Sequence, residues 1–290
     1  MSRHGILDLM PTGSYMVTGA STGIGRACVQ RLVSAGAHVW ATVRSDTDEQ
    51  ALQEAHGSKV SVLRMEVTDA TSVAEAGEKV CAAGPLNGLV NNAGIAVPAP
   101  LEHVPIEAFR RQIEVNLIGQ LAVTQAVLPA LRAARAAGQR ARIVMLGSIG
   151  GRIAGPMLGA YHTSKFAMVG LADSLRAELA PSGIQVVLIE PGAIATPIWR
   201  RGAEAANDLI GSLTDNARAR YHKQIEAARA NSAAAAKRGI PPERAAAVIV
   251  NALFAPRPRP RQLIGTDAHL ASVIARLPYR LRYRITAARG

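Results

Sequence analysis

A strand-sized apolar run at residues 15–17 ends in Thr18-Gly19, and a helical pattern over 24–35, stopped by Gly36, follows at once. The same exchange repeats down the chain. Short apolar runs at 38–43, 60–65, 86–90, 142–146 and 184–189 predict strands, each separated from the next by a helix-length segment. Those segments are 46–56, a helix capped by Asp69 and running through Ala83, a long one over 106–137 in which Pro129 should impose a bend, and 161–180. Strands joined in this way build a parallel sheet with helices on both faces, a doubly wound α/β fold. Ligands of such sheets lie beyond the carboxyl ends of the strands, near the switch point.

The rhythm breaks at 199–238, an Ala/Arg-rich helical stretch without a strand, before a last helix at 243–254 and a short edge strand at 262–264. No Pro/Gly/Ser-rich linker and no repeat divides the 290 residues. A single domain over 1–255, carrying 199–238 as an insert, is expected, followed by a basic extension over 256–290. A hydrophobic share of 49% suffices for a full core, and with 3% aromatic residues that core must be built from Ala, Val, Leu and Ile.

Several classes can be set aside. Residues 1–15 lack the apolar run of a signal peptide, and no stretch of 18 apolar residues occurs, so no membrane-spanning segment is expected. Cys28 and Cys81 offer neither a disulfide framework nor metal spacing; they read as core fillers of a cytoplasmic protein. The formal charge of +12 raises the question of nucleic acid. Basic residues are scattered and then gather in the tail, where 257–290 hold eight arginines against the single acid Asp267, without an aromatic-rich reading surface. No nucleic-acid partner is expected.

The turn after the first strand reads Thr18-Gly19-Ala20-Ser21-Thr22-Gly23-Ile24-Gly25. Gly19 permits the tight turn, Gly23 lets backbone amides approach a pyrophosphate, and Gly25 allows close packing of helix on strand. The helix N-terminus then attracts phosphate. The spacing, G-x-x-x-G-x-G, differs from the common dinucleotide fingerprint, and three glycines at a strand end also suit a simple turn. A second signal is needed. Tyr161 and Lys165 are four apart on a predicted helix and face one side. Ser148 stands at the carboxyl end of 142–146, with twelve residues of loop to bring it to Tyr161. Reducing a ketone needs a proton donor at oxygen while hydride reaches carbon. A phenol with a pKa of about 10 is a poor base at neutral pH, a nearby ammonium favours its phenolate, and a serine hydroxyl can hold the substrate oxygen.

Together these features resemble the short-chain dehydrogenase/reductase family. The similarity spans about residues 14–254 and comprises Thr18 to Gly25, Asn91-Asn92-Ala93-Gly94, Asn116, Ser148, Tyr161-x-x-x-Lys165 and Pro191-Gly192, in the family's order and spacing. It implies a Rossmann-type sheet and the following roles. Tyr161 is the general acid/base, Ser148 positions the carbonyl oxygen, Lys165 holds the ribose hydroxyls and tunes Tyr161, and Asn116 supports a water-mediated proton relay. Gly19, Ser21, Thr22, Gly23, Ile24 and Gly25 bind the cofactor at the glycine turn. Asn92, Ala93 and Gly94 form its floor, and Pro191, Gly192, Ile194 and Thr196 close over the nicotinamide. Glu66, with Val67 beside it, stands where an aspartate usually meets the adenine amine. Gly147 stands where a second serine is common.

NAD enzymes of this fold place an acid at the end of strand two, against the ribose 2′-hydroxyl. That position is Val43, and the Arg44 that follows suits a 2′-phosphate. NADP(H) is therefore the expected cofactor and NAD the alternative, with Asp46 and Asp48 close enough to divert Arg44. An apolar pocket for a hydrophobic alcohol or carbonyl compound is expected from 149–158, Ala96, Val97 and 199–238. Ile149, Met157, Leu158 and Trp199 would face the substrate beside Ser148 and Tyr161, and Arg152 and Arg200 are candidate charged anchors. The stretches 85–95 and 189–199 resemble the retinol and hydroxysteroid dehydrogenase branch, which implies a lipid-, steroid- or retinoid-like substrate. The relatives' four-helix interface implies a homodimer or homotetramer built on the helices after Pro105 and Tyr161. The tail over 277–285 alternates Arg with Leu, Tyr and Ile, a pattern for an anionic membrane surface that a solvated or subunit-docked tail explains better. The alternative function is an NAD(P)H-binding sensor or scaffold without turnover, against which the presence of both Tyr161 and Lys165 argues. An isomerase of the extended branch would need a larger C-terminal part.

Overall fold

The computed structural model describes residues 13–287; the reading of the first twelve residues and of Arg289 lies outside them. The apolar runs become strands because each is buried on both faces, as a parallel sheet between helices requires. In chain order the elements are β1 (Ser14–Val17), α1 (Gly23–Ser34), β2 (His38–Val43), α2 (Asp46–His56), β3 (Val60–Arg64), α3 (Ala70–Ala82), β4 (Gly88–Asn91), α4 (Ile106–Ile113) and α5 (Gly119–Ala136). There follow β5 (Arg142–Leu146), α6 (Gly159–Leu179), β6 (Gln185–Pro191), α7 (Ile198–Gly211), α8 (Asp215–Arg238), α9 (Pro242–Phe254), β7 (Arg261–Ile264), α10 (Thr266–Ile274) and α11 (Tyr279–Ala287). Seven parallel strands lie in the order β3-β2-β1-β4-β5-β6-β7. The connections reverse direction at β1, so a cleft opens between the ends of β1 and β4.

One face of the sheet carries a core that includes Cys28, Leu32, Ile249 and Leu253, from α1 and α9. The other carries one that includes Val80, Leu131 and Met168, from α3, α5 and α6. A third, small cluster joins Met157 to Ala206, Ile210 and Ile225, seating α7 and α8 over the cleft. β5 begins with a fully buried cation. Arg142 donates to the carbonyls of Ala252 and Leu253 at 2.8 and 2.7 Å, satisfying the end of α9, and burial lowers its pKa to about 10.

Three findings bear on the expectations. Pro129 lies inside α5, which runs unbroken from Gly119 to Ala136, and the ladder alters at Glu114–Ile118, a π-turn. Such turns widen the helix by one residue and re-aim its side chains. Secondly, the boundary at 255 is too early. β7 pairs with β6, and Ala268 of α10 is wholly buried, so the packed domain runs on through the first part of the basic extension. Thirdly, the run Ile106–Ala136 is long and apolar enough by composition to cross a membrane. It also carries the buried polar side chains of Gln112, Asn116, Gln120 and Thr124, and it packs on the sheet as a core helix.

Candidate active site

The strand ends surround a cavity of about 580 Å³ beside β1 and β4. At its glycine-turn end, Ser21, Thr22, Gly23 and Ile24 line the wall. Gly19 and Gly23 take φ of +62° and +56°, which side chains on Cβ resist. A Cβ on Gly25 would collide with the carbonyl of Gly19, so Gly25 packs beneath the turn rather than on the cavity. Among the described residues α1 has no side-chain cap and no acid in its first turn. Its leading amides therefore face the cavity without side-chain partners, the arrangement an anionic diphosphate fits.

Thr18 builds the floor. Its hydroxyl accepts from the amides of Asn92 and Ala93 at 2.9 and 3.0 Å, and the Asn92 amide group donates back to the carbonyls of Thr18 and Gly19. Asn116 supports the next residues: it accepts from Ile95 N at 2.8 Å and donates to Ile95 O and to Ser164 Oγ, both at 3.0 Å. Ser164 in turn donates to the Tyr161 carbonyl at 2.7 Å. The Asn116 side chain thus holds the floor and the Tyr161 helix together.

At the far end Val43, Arg44, Glu66 and Val67 line the cavity. Neither expected acid diverts Arg44. Asp46 pairs with Arg64, and Asp48 with Ser45 at the head of α2. Glu66 is the competitor, 3.5 Å from the Arg44 guanidinium.

Ser148, Tyr161 and Lys165 meet on the opposite wall. Lys165 Nζ donates to Leu146 O at 2.7 Å and lies 5.7 Å from the Tyr161 ring centre. Burial lowers the lysine pKa to about 8. Burial also raises the Tyr161 pKa, with hydrogen bonding to Ser148 pulling the other way. Desolvation keeps the phenol protonated, the form that donates.

The Ser148 loop is fixed by residues the motifs left out. Ser148 Oγ accepts from Gly150 N at 3.0 Å, and His162 Nδ1 lies 3.0 Å from Gly150 O. Burial lowers the His162 pKa, so the ring is neutral near pH 7, and the carbonyl partner assigns its proton to Nδ1. Arg152 is no substrate anchor: its guanidinium grips Glu190 at 2.8 Å and Ser272 at 3.2 Å. Glu190, 0% exposed, also accepts from Arg261 at 3.1 Å. Burial pushes its carboxyl up, yet bonds from Arg152 and Arg261 outweigh this and hold it below the usual range. A carboxylate inside the apolar run Val186-Val187-Leu188-Ile189-Glu190 was the sequence signal for such a buried partner. Arg200 pairs with Glu204 at the surface.

Pro191, Gly192, Ile194 and Thr196 line the cavity, with Trp199 Nε1 donating to Ile194 O at 2.7 Å. The expected substrate residues divide. Trp199 lines the main cavity and a second one of about 510 Å³, whereas Met157 and Leu158 line only the second. Ile149 lies outside both linings, in the short turn after Ser148. Met157 holds φ at +69°, an uncommon conformation for a side-chain-bearing residue, two residues before α6.

The model of the short chain dehydrogenase family matches residues 14–207. The chain belongs to that family. It is 34% identical to an NADPH-dependent 3-dehydrocapnine reductase of Ornithobacterium rhinotracheale over 86% of its own length and 87% of that protein's. It is 31% identical to human 17-beta-hydroxysteroid dehydrogenase type 1 over 84% and 74%. A solved short chain dehydrogenase from Burkholderia cenocepacia, in complex with NADP, superposes with a TM-score of 0.72 at 25% identity, over 95% of this chain and 98% of that one. The family match ends at 207, so Arg261, Asp267 and Ser272, which brace the site of this dehydrogenase, come from beyond it.

Proposed function

We propose that the chain is an NADP(H)-dependent oxidoreductase acting on a hydrophobic secondary alcohol, ketone or aldehyde. The observation that carries this reading is one cavity with an uncapped helix N-terminus at one end and, on its wall, buried Ser148 and Lys165 beside half-buried Tyr161. Gly19 to Ile24 would hold the diphosphate, Asn92 to Gly94 the floor, and Arg44 the 2′-phosphate. The bound nicotinamide supplies or accepts the hydride. In reduction Ser148 holds the carbonyl oxygen and Tyr161, kept protonated by desolvation of its phenol, gives that oxygen its proton. Lys165 serves the ribose hydroxyls as an ammonium donor. The relative that carries NADPH in its name and the structural neighbour with NADP support the cofactor choice.

Apolar walls support a hydrophobic substrate: Trp199 bounds both cavities, Met157 and Leu158 the second, and Arg152 is engaged elsewhere. A second copy of the chain would cover Ile106, Ile118 and Phe166, which are exposed on the helices that form the relatives' interface. Unpaired Cys28 and Cys81 agree with a reducing cytoplasm.

A turnover screen of ketones, sterols and retinoids with NADPH and with NADH, alongside fluorescence titration of both nucleotides, tests the reading. Saturable NADPH binding and turnover of at least one apolar carbonyl compound are expected. Binding without turnover across the screen would favour the sensor instead, and light scattering on the same sample reads the oligomer.

A further inference from the structure

The loop over the nicotinamide end is held by a carboxylate that lies 74 residues further along the chain. Ala193 N donates to Asp267 Oδ2 at 2.7 Å, and Gly192 N donates to Ile264 O at 2.9 Å. From the other side Ile240 exchanges two 2.9 Å bonds with Ala193 O and Ala195 N. Asp267 lies in the first turn of α10, yet among the described residues that helix has no side-chain cap; the carboxylate reaches across to the loop instead. Two glycines are shaped around it. A Cβ on Gly192 would run into both Asp267 oxygens, and a Cβ on Gly265 into Oδ1. Gly265 also takes φ of +105°, which only glycine adopts without strain.

We propose that Asp267 is a positioning residue for the cofactor. It acts through the backbone: the carboxylate fixes Ala193 N, and with it the flanking Gly192 and Ile194, which line the cavity beside Pro191. A backbone amide has one proton to give, so removing the carboxylate leaves Ala193 N without that partner and lets the loop drift. The nicotinamide end is thus gripped from the C-terminal segment, beyond the part of the chain that the family model matches.

The inference rests on the NADP(H) reading. It is tested on the full chain with Asp267→Ala and Asp267→Asn, the latter keeping a side-chain oxygen acceptor. Asp267→Ala should raise Kd and KM for NADPH about tenfold with kcat within threefold of the unmodified protein, and Asp267→Asn should recover most of the affinity. In the free protein, amide exchange over residues 191–196 should quicken in Asp267→Ala alone. Unchanged NADPH affinity in Asp267→Ala overturns the proposal. So does a loss of Tm and kcat in both variants without selective loss of nucleotide affinity, because that marks a purely structural residue. If the unmodified protein binds neither NADPH nor NADH, the functional reading falls and the inference with it. If it binds NADH alone, the cofactor choice falls and the same comparison, made with NADH, decides for or against Asp267.

Discussion

At one end of the cleft, Arg44 and Glu66 face each other at 3.5 Å with side chains 60% and 34% exposed. Beneath the Ser148 loop, Glu190 sits between Arg152 and Arg261 with no exposed surface of its own. The partners are chemically alike, and their surroundings differ. Water and salt screen the first pair, so it does little to hold the fold. The second triad lacks that screening around its carboxylate, so removing one member leaves a charge where solvent cannot help. The same contrast explains the titrations. Burial shifts Tyr161 upward and Lys165 down to about 8.

The comparison breaks most visibly at Tyr161. Tyr161→Phe should lower kcat by roughly 10²- to 10⁴-fold, as for loss of a general acid, and leave NADPH affinity within threefold. Stopped-flow turnover and nucleotide titration read the two separately, and turnover within tenfold of the unmodified enzyme would remove Tyr161 from its role.

Next in size is the buried triad. Glu190→Gln leaves two guanidiniums facing a neutral amide and should cost about 3 kcal/mol of stability, where Glu66→Gln should leave Tm unchanged. The pH dependence has a definite sign. The folded carboxyl titrates below its unfolded value, so its contribution is full above that value and is lost as pH falls through the folded one. Thermal unfolding from pH 7 to 3 should therefore fall more steeply for the unmodified protein than for Glu190→Gln. Parallel curves would show that Glu190 does not titrate against its arginines.

A smaller effect belongs to Lys165. With a pKa of about 8 in the free protein, its ammonium disappears above that pH, while Tyr161 remains protonated. The alkaline limb of kcat/KM for reduction should then lie near 8 and move upward in Lys165→Arg. A limb above 10 in the unmodified enzyme would assign it to the phenol instead.

The smallest change sharpens the exposed end. Arg44→Ala should reduce the NADPH-over-NADH preference in kcat/KM about fivefold, and Glu66→Gln should raise it about threefold by freeing the guanidinium. Both effects should shrink as salt is added. A preference indifferent to both substitutions would place the 2′-phosphate elsewhere.

The sequence by itself determined the sheet, the glycine turn and the residues that meet on the cavity wall. The periodicities are local, and the turn's glycines answer to backbone geometry within eight residues. Tyr161 and Lys165 share a face because a helix turns once in about 3.6 residues. Only the tertiary structure decided which acid meets Arg44, because Asp46, Asp48 and Glu66 are equivalent as charges and differ only in where neighbouring strand ends place them. It also placed a π-turn at Glu114–Ile118, where the Asn116 side chain braces Ile95 and Ser164. It converted Arg152 from an apparent anchor into a partner of Glu190, 38 residues away, and carried the domain past residue 255 through β7. Ile149 stands next to Ser148 in the chain and still lies outside both cavities, because the turn there is set by Ser148, Gly150 and His162. Long-range pairing of this kind depends on which surfaces are brought together when the core closes, and no local pattern encodes it.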